Sequence, residues 1–329
     1  MKKRTLGIVL AGFMAVAALT GCAGGKSGST GLPKTIEVQV PAKAGGGTDV
    51  MARALTTQIA KDAGINMTVV NNTDGSGVVA METVRTAKPD GSKILQFHTS
   101  MLIKTATGVY DKAAADDFKI IGVSQGTEKA QYVLVVSADG GITSLDDFVE
   151  KAKGGELKLG VETGGTSHIM AGLLAKAADL PIKYVEAGSD TEKLTALVGN
   201  TIDAALVNVN QAKQYVESGK AIALGVISNG EEGARSSVLP DVPSLQEQGI
   251  DCTFATINLF CGPKDMSDET AKQLYDYYAA AAASDEVNKT LEPAGMAMEF
   301  LPYEEGPSAV KEQQETLNAV IEELGLKQK

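Results

Sequence analysis

Apolar and polar residues follow two periods along the chain, and the two take turns. Ile36 to Val40 alternates apolar with polar and stops at Pro41, the pattern of a half-buried strand. Asp49 to Ala63 instead places Val50, Ala54, Ile59 and Ala60 on one helical face. Met67 to Val70 predicts a strand and Val78 to Thr86 a helix. Ile94 to Phe97, Phe118 to Val123 and Tyr132 to Val136 predict further strands. A second series begins with a helix over Leu145 to Lys153. Strands follow at Lys158 to Val161, Ile182 to Val185, Ala204 to Val207 and Ala221 to Ile227. Between them, Ser167 to Ala178 and Thr191 to Val198 read as helices. Asp268 to Ala283 and Ser308 to Leu324 are late helices with one polar side. Strands and helices in alternation predict an α/β protein.

The pattern contains an echo. Gly46-Gly47-Thr48 leads into a helix carrying Val50-Met51-Ala52, and Gly164-Gly165-Thr166 into one carrying Ile169-Met170-Ala171. The first helix starts one residue closer to its Gly-Gly-Thr. Two similar lobes, each presenting a helix N-terminus, account for the echo, with Thr48 and Thr166 at corresponding positions.

The first residues follow neither period. Lys2, Lys3 and Arg4 precede an apolar run from Leu6 to Leu19, too short to span a bilayer of ~30 Å as a stable helix. The run ends in Leu19-Thr20-Gly21-Cys22, which resembles the bacterial lipobox. Residues 1–21 are thus expected to be a lipoprotein signal peptide, and residues 22–32 the lipidated Cys22 and a flexible Ala/Gly/Ser-rich tether. That places the body outside the cytoplasmic membrane.

Composition narrows the function. The 329 residues are 43% hydrophobic and 22% charged, as in globular proteins. Formal net charge is −11, the wrong sign for a general nucleic-acid binder. An anionic ligand would have to be held by local dipoles and placed donors. Two histidines and three cysteines leave no room for a Cys/His metal cage. Cys252 and Cys261 bracket an extended apolar run, which holds them too far apart for a disulfide, so two separate thiols are expected.

The glycine turns carry the most chemistry. A helix N-terminus exposes N–H groups and a partial positive charge, and glycine lets a ligand approach the backbone. With Thr hydroxyls added, Gly46, Gly47 and Thr48 make a candidate carboxylate site that needs no net positive charge. Helix entry alone explains the same residues: Thr caps helices, and Asp49 complements the dipole. Nucleotide readings fail. Gly160 to Ser167 is near a P-loop spacing but no Lys precedes the final hydroxyl residue, and Gly75 to Ala80 is followed by a strand with no ribose-binding acid. Ser167 and His168 are helical neighbours and do not face each other as a nucleophile pair. His168 is a ligand-facing or capping donor or a packed surface residue. Lys43 is a surface lysine or a cation near a bound anion.

Several of these residues together resemble the extracytoplasmic receptors of tripartite tricarboxylate transporters, the Bug-type receptors. The resemblance rests on Pro41 to Asp49, Asn72 to Gly77, Ala87-Lys88-Pro89-Asp90-Gly91, Gly164 to His168, Gly188-Ser189 and Asp203. Its most specific part is Arg235-Ser236 with Leu239-Pro240-Asp241-Val242-Pro243. The sequence departs from the family at Ala42, where an aromatic is common, at Lys43, and over residues 254–260, which lack a Trp.

The resemblance implies a two-lobed periplasmic-binding-protein fold of type II-like form, each lobe a mixed sheet flanked by helices, with the ligand cleft between them. Lobe one would hold residues 33–133 and 255–329, lobe two residues 134–254. The ligand contacts expected in the first lobe are Gly46, Gly47, Thr48, Asp49 and Ser100, with Lys43 added from its place beside the glycine turn. In the second they are Gly165, Thr166, Ser167, His168, Gly188, Ser189 and Asn208. The expected function is capture of a small organic carboxylate and its delivery to membrane transporter subunits, by a monomer without cofactor, metal or catalysis. The rival readings are a receptor for a non-carboxylate solute and an exported hydrolase.

Overall fold

The computed structural model of the protein describes residues 31–126, 130–230, 233–294 and 296–327. The expected signal peptide, Cys22 and most of the expected tether lie outside them. In chain order the first elements are β1 (Thr35–Val40), α1 (Gly47–Ala63), β2 (Asn66–Asn71), α2 (Val78–Arg85), β3 (Lys93–His98), α3 (Ser100–Thr107), α4 (Ala114–Asp117) and β4 (Phe118–Gln125). Next come β5 (Ala130–Ser137), α5 (Leu145–Lys153), β6 (Lys158–Val161), α6 (Thr166–Ala177), β7 (Lys183–Glu186), α7 (Asp190–Val198), β8 (Ala204–Asn208), α8 (Val209–Glu217) and β9 (Ala221–Ser228). The chain closes with β10 (Ile257–Pro263), α9 (Asp268–Ala282), α10 (Asp285–Leu291), β11 (Glu299–Phe300) and α11 (Gly306–Glu323).

These strands make two mixed sheets, ordered β11-β4-β10-β3-β1-β2 and β7-β6-β8-β5-β9. β1 pairs parallel with β2 and β3, while β10 runs antiparallel between β3 and β4. In the second sheet β6 is parallel to β7 and β8, and β5 is antiparallel to β8 and β9. The chain passes between sheets twice, from β4 to β5 and from β9 to β10. The boundary expected between residues 133 and 134 falls inside β5.

Strand alternation explains the layers. On one face of the first sheet, Ile36, Val38, Val40 and Ile94 pack on Leu55 and Ile59 of α1 and Leu274 and Tyr278 of α9. On the other, Leu95 and Phe97 meet Met101 and Leu102 of α3 and Val310, Leu317 and Ile321 of α11. Ile169 of α6, a helix of the second series, is fully buried in that same cluster. Gly172 sits under Leu324, so a Cβ there would come within 2.5 Å of the leucine. The missing side chain is what lets the end of α11 lie close on α6. Cys252 and Cys261 are buried thiols in different clusters, and burial pushes each up to about 12.

Four helices escape the periodicity argument, the single turn of α4 among them. α3 reads as a continuation of the apolar strand before it, and α8 starts directly at the end of β8, capped by the Asn208 side chain on the amide of Asn210. α10 is only two turns long. The apolar run expected over residues 253–260 becomes a strand that starts later, at Ile257, and continues to Pro263.

Tyr278 tests the packing of the first core. Its ring lies 4.7 Å from that of Phe260, and its hydroxyl is buried without a hydrogen-bond partner among the described residues. An orphaned buried hydroxyl costs about 1–3 kcal/mol. Tyr278→Phe should therefore leave stability unchanged or raise it by about 1 kcal/mol in urea unfolding. A loss above about 1 kcal/mol would show that the hydroxyl is paired.

Candidate functional site

Parallel strands leave their C-terminal ends and the helix starts that follow at one edge of a sheet, where α/β proteins place ligands. β1, β3 and β8 lead into α1, α3 and α8 at this edge. A cavity of about 660 Å³ opens here. The first sheet and its helices contribute Gly45, Gly47, Thr48, Met51, His98, Thr256 and Asn258, and the second contributes Tyr132, Glu162, Asp190, Asn208 and Gln211. Met296 and Ala297 close one side. Of the described residues lining it, none is Lys or Arg.

The first glycine turn is held from beneath. Gly46 is the N-cap of α1, with its N–H on the Lys43 carbonyl at 3.1 Å. Gly45 adopts φ +80°, which a glycine accepts without strain. Asp49, 3% exposed, accepts hydrogen bonds from Gly45 N–H at 2.8 Å, Arg53 Nε at 3.0 Å and Asn71 Nδ2 at 2.9 Å. Arg53 Nη2 adds an ion-pair contact at 2.9 Å, and Asn71 also donates to the Ala42 carbonyl. Burial opposes the charge on Asp49, but the hydrogen bonds from Arg53, Gly45 and Asn71 outweigh it and hold the carboxyl below its usual range. Gly47 and Thr48 are then the first two residues of the helix, with amides that have no helical acceptor.

The second glycine turn repeats this geometry in a register one residue different from Gly-Gly-Thr. Gly164 has φ +74°, Gly165 is the N-cap, and its N–H meets the Glu162 carbonyl at 2.8 Å. His168 takes the place of Asp49: its Nδ1 accepts from Gly164 N–H at 3.1 Å, leaving the proton of the neutral ring on Nε2. Thr48 therefore corresponds to Ser167, not to Thr166, and Lys43 to Glu162. Ser167 is buried, its Oγ accepting from Glu162 N–H at 2.9 Å. Thr166 Oγ1 lies 3.4 Å from Ser100 Oγ, joining the starts of α6 and α3.

The expected residues thus divide. Gly47, Thr48 and Asn208 line the cavity. Gly46 and Asp49 shape the turn that presents the first two. Gly165, Thr166, Ser167 and His168 form the start of α6, and Ser100 packs against it, outside the lining. Gly188 and Ser189 also lie off the cavity: Ser189 caps α7 in a reciprocal pair with Glu192. Lys43 is exposed and lies outside the lining, in the field of Glu192.

Sequence reasoning passed over His98, Tyr132, Glu162, Asp190 and the first turn of α8. Asp190 Oδ1 is 2.7 Å from the buried Lys193 ammonium, and Oδ2 accepts the Asn208 N–H at 2.9 Å, which fixes the start of α8. Desolvation, with the Lys104 charge adding to it, pushes His98 down to about 4, so its ring is neutral near pH 7. A signal for His98 and Asn208 exists: each directly follows a predicted strand.

Two mixed sheets joined by two crossings, with a cavity walled by both, define a two-lobed solute receptor. A sequence model of the tripartite tricarboxylate transporter family receptors matches residues 51–326, and the chain belongs to that family. A relative from Cupriavidus necator, "UPF0065 protein in gbd 5'region", is 25% identical over 296 residues, 89% of this chain and 88% of its own length. The periplasmic binding protein BugD superposes with a TM-score of 0.73 at 21% identity, covering 90% of this chain and 99% of BugD. MatC from Rhodopseudomonas palustris, solved with bound malate, has a TM-score of 0.70 at 22% identity over 87% of this chain and 98% of its own. The resemblance read from the motifs and the two-lobed α/β fold are confirmed.

Asp49 separates a structural role from a ligand-binding one. Asp49→Asn keeps the shape but loses the charge-assisted bonds, and should cost about 1–3 kcal/mol of stability. The folded carboxyl titrates below the ordinary value of 3.8, so its contribution is whole above about pH 4 and is lost as pH falls through the folded value. The gap between denaturant melts of the two proteins, followed from pH 7 to 3, should therefore narrow toward the acid end. A constant gap across that range would remove Asp49 as the charged anchor.

Proposed function

We propose that the protein is a lipid-anchored extracytoplasmic receptor that captures a small organic carboxylate as a monomer and passes it to a membrane transporter. The observation that carries this reading is the pair of helix starts at the cavity. The N-termini of α1 and α8, one from each sheet, open onto a space without Lys or Arg among its described lining residues. Backbone N–H groups and helix dipoles hold an anion without a side-chain cation. The malate bound to MatC supports an organic acid as the ligand class. Gly47 and Thr48 would meet the carboxylate from lobe one, and the Asn208 turn from lobe two.

A melting screen over mono-, di- and tricarboxylates, sugars and polyamines tests the ligand class. A ligand that binds only the folded state adds about 2.7 kcal/mol at 100 times its Kd. Thr48→Val should weaken binding of the responding acid about 10- to 100-fold, since a hydrogen bond to a charged group contributes roughly 1.5–3 kcal/mol. Thr166→Val, whose hydroxyl meets Ser100, should change it far less. A shift with a sugar or polyamine and none with any carboxylate would overturn the reading.

The anchor rests on Leu19-Thr20-Gly21-Cys22. Cys22→Ala should abolish the lipid mass on the mature N-terminal residue and leave an unprocessed precursor. The same lipid mass on the variant would remove the assignment.

A further inference from the structure

Glu162 stands where lobe two was expected to offer an anion site. It follows β6, is exposed, and lines the cavity. Its carboxylate lies over the N-cap of α6: a Cβ on Gly165 would come within 2.9 Å of both Cδ and Oε2 of Glu162. The N-terminus of α6, which would otherwise attract a ligand carboxylate, already faces a carboxylate of the protein. The helix dipole stabilises that charge in place.

The other acid on this wall is neutralised. Asp190 is paired with Lys193 and with the Asn208 N–H. The Glu162 carboxylate has no hydrogen bond or ion pair among the described residues. Lys104 on α3 feels its charge, without forming an ion pair. The first lobe therefore presents the N–H groups of Gly47 and Thr48, and the second lobe presents, besides the start of α8, the negatively charged acceptor of Glu162.

We infer that Glu162 selects ligands that carry a cationic amino group as well as a carboxylate. This rests on the carboxylate-receptor reading and sharpens it. The ligand carboxylate faces the start of α1, and its ammonium donates to Glu162. A second carboxylate directed at Glu162 would meet a like charge in a partly desolvated site, which opposes binding.

Calorimetric titration of the purified protein with matched acids tests this: butanoate against 4-aminobutanoate, propanoate against β-alanine, and succinate against aspartate. The amino member of at least one pair should bind about tenfold or more tightly than its partner. Glu162→Gln, nearly isosteric, should erase that preference without weakening the amino-free acid. Equal or tighter binding of the amino-free acid throughout would overturn the selection by Glu162 and leave the carboxylate receptor standing. So would a preference that survives Glu162→Gln. The wild-type comparison stands alone if the variant folds poorly. Binding of neither member of any pair, with binding of a sugar or polyamine, would overturn both readings.

Discussion

The carboxylate of Asp49 ties the start of α1 to its surroundings, and the cavity depends on that tie. Gly45, Arg53 and Asn71 all donate to it, and Asn71 also holds the Ala42 carbonyl. These bonds join the loop after β1, the body of α1 and the end of β2 through one buried group. The flexibility of three consecutive glycines is thereby cancelled where it would cost most. Gly47 and Thr48 can be exposed to a ligand and still be fixed in position, so less ordering entropy is lost on binding.

The second turn uses the same scaffold with other chemistry. His168 does for Gly164 what Asp49 does for Gly45, with a neutral ring in place of a charged carboxylate. Burial lowers the His168 value, against the pull of Glu186. The start of this turn carries Glu162 where the first carries Lys43. A duplicated backbone device has thus been given opposite electrostatic surroundings, and the two lobes offer a ligand different partners. Recognition of an anion by a protein with a net charge of −11 becomes a local matter of amides and dipoles.

α6 connects this edge to the body of the molecule. Ile169 is buried among residues of α3 and α11, and the absence of a side chain at Gly172 admits Leu324. Lys176 pairs with Glu323 further along the same helix. Ser100 and Thr166 meet at the cavity end. Packing along one helix therefore sets how the two glycine turns face the space between them.

Periodicity along the chain was enough for the α/β class, most strands, and helices such as Leu145–Lys153, because one buried face per element leaves a repeat that needs no partner to be read. The family was legible too, since glycine turns and the segment from Leu239 to Pro243 are local in sequence. Helices α3 and α8 were not legible: each follows a strand without a linker, and their starts are decided by where the sheet ends. The repeat, aligned on Gly-Gly-Thr, paired Thr48 with Thr166, and only the matching bonds of Asp49 and His168 aligned Thr48 with Ser167. Site membership was the least legible property. His98, Tyr132, Glu162 and Asp190 are far apart along the chain and converge because antiparallel β5 and β10 begin at the edge where the parallel strands end. Strand order and helix packing are non-local, so the walls of the cavity, and the sign of charge each presents, belong to the tertiary structure alone.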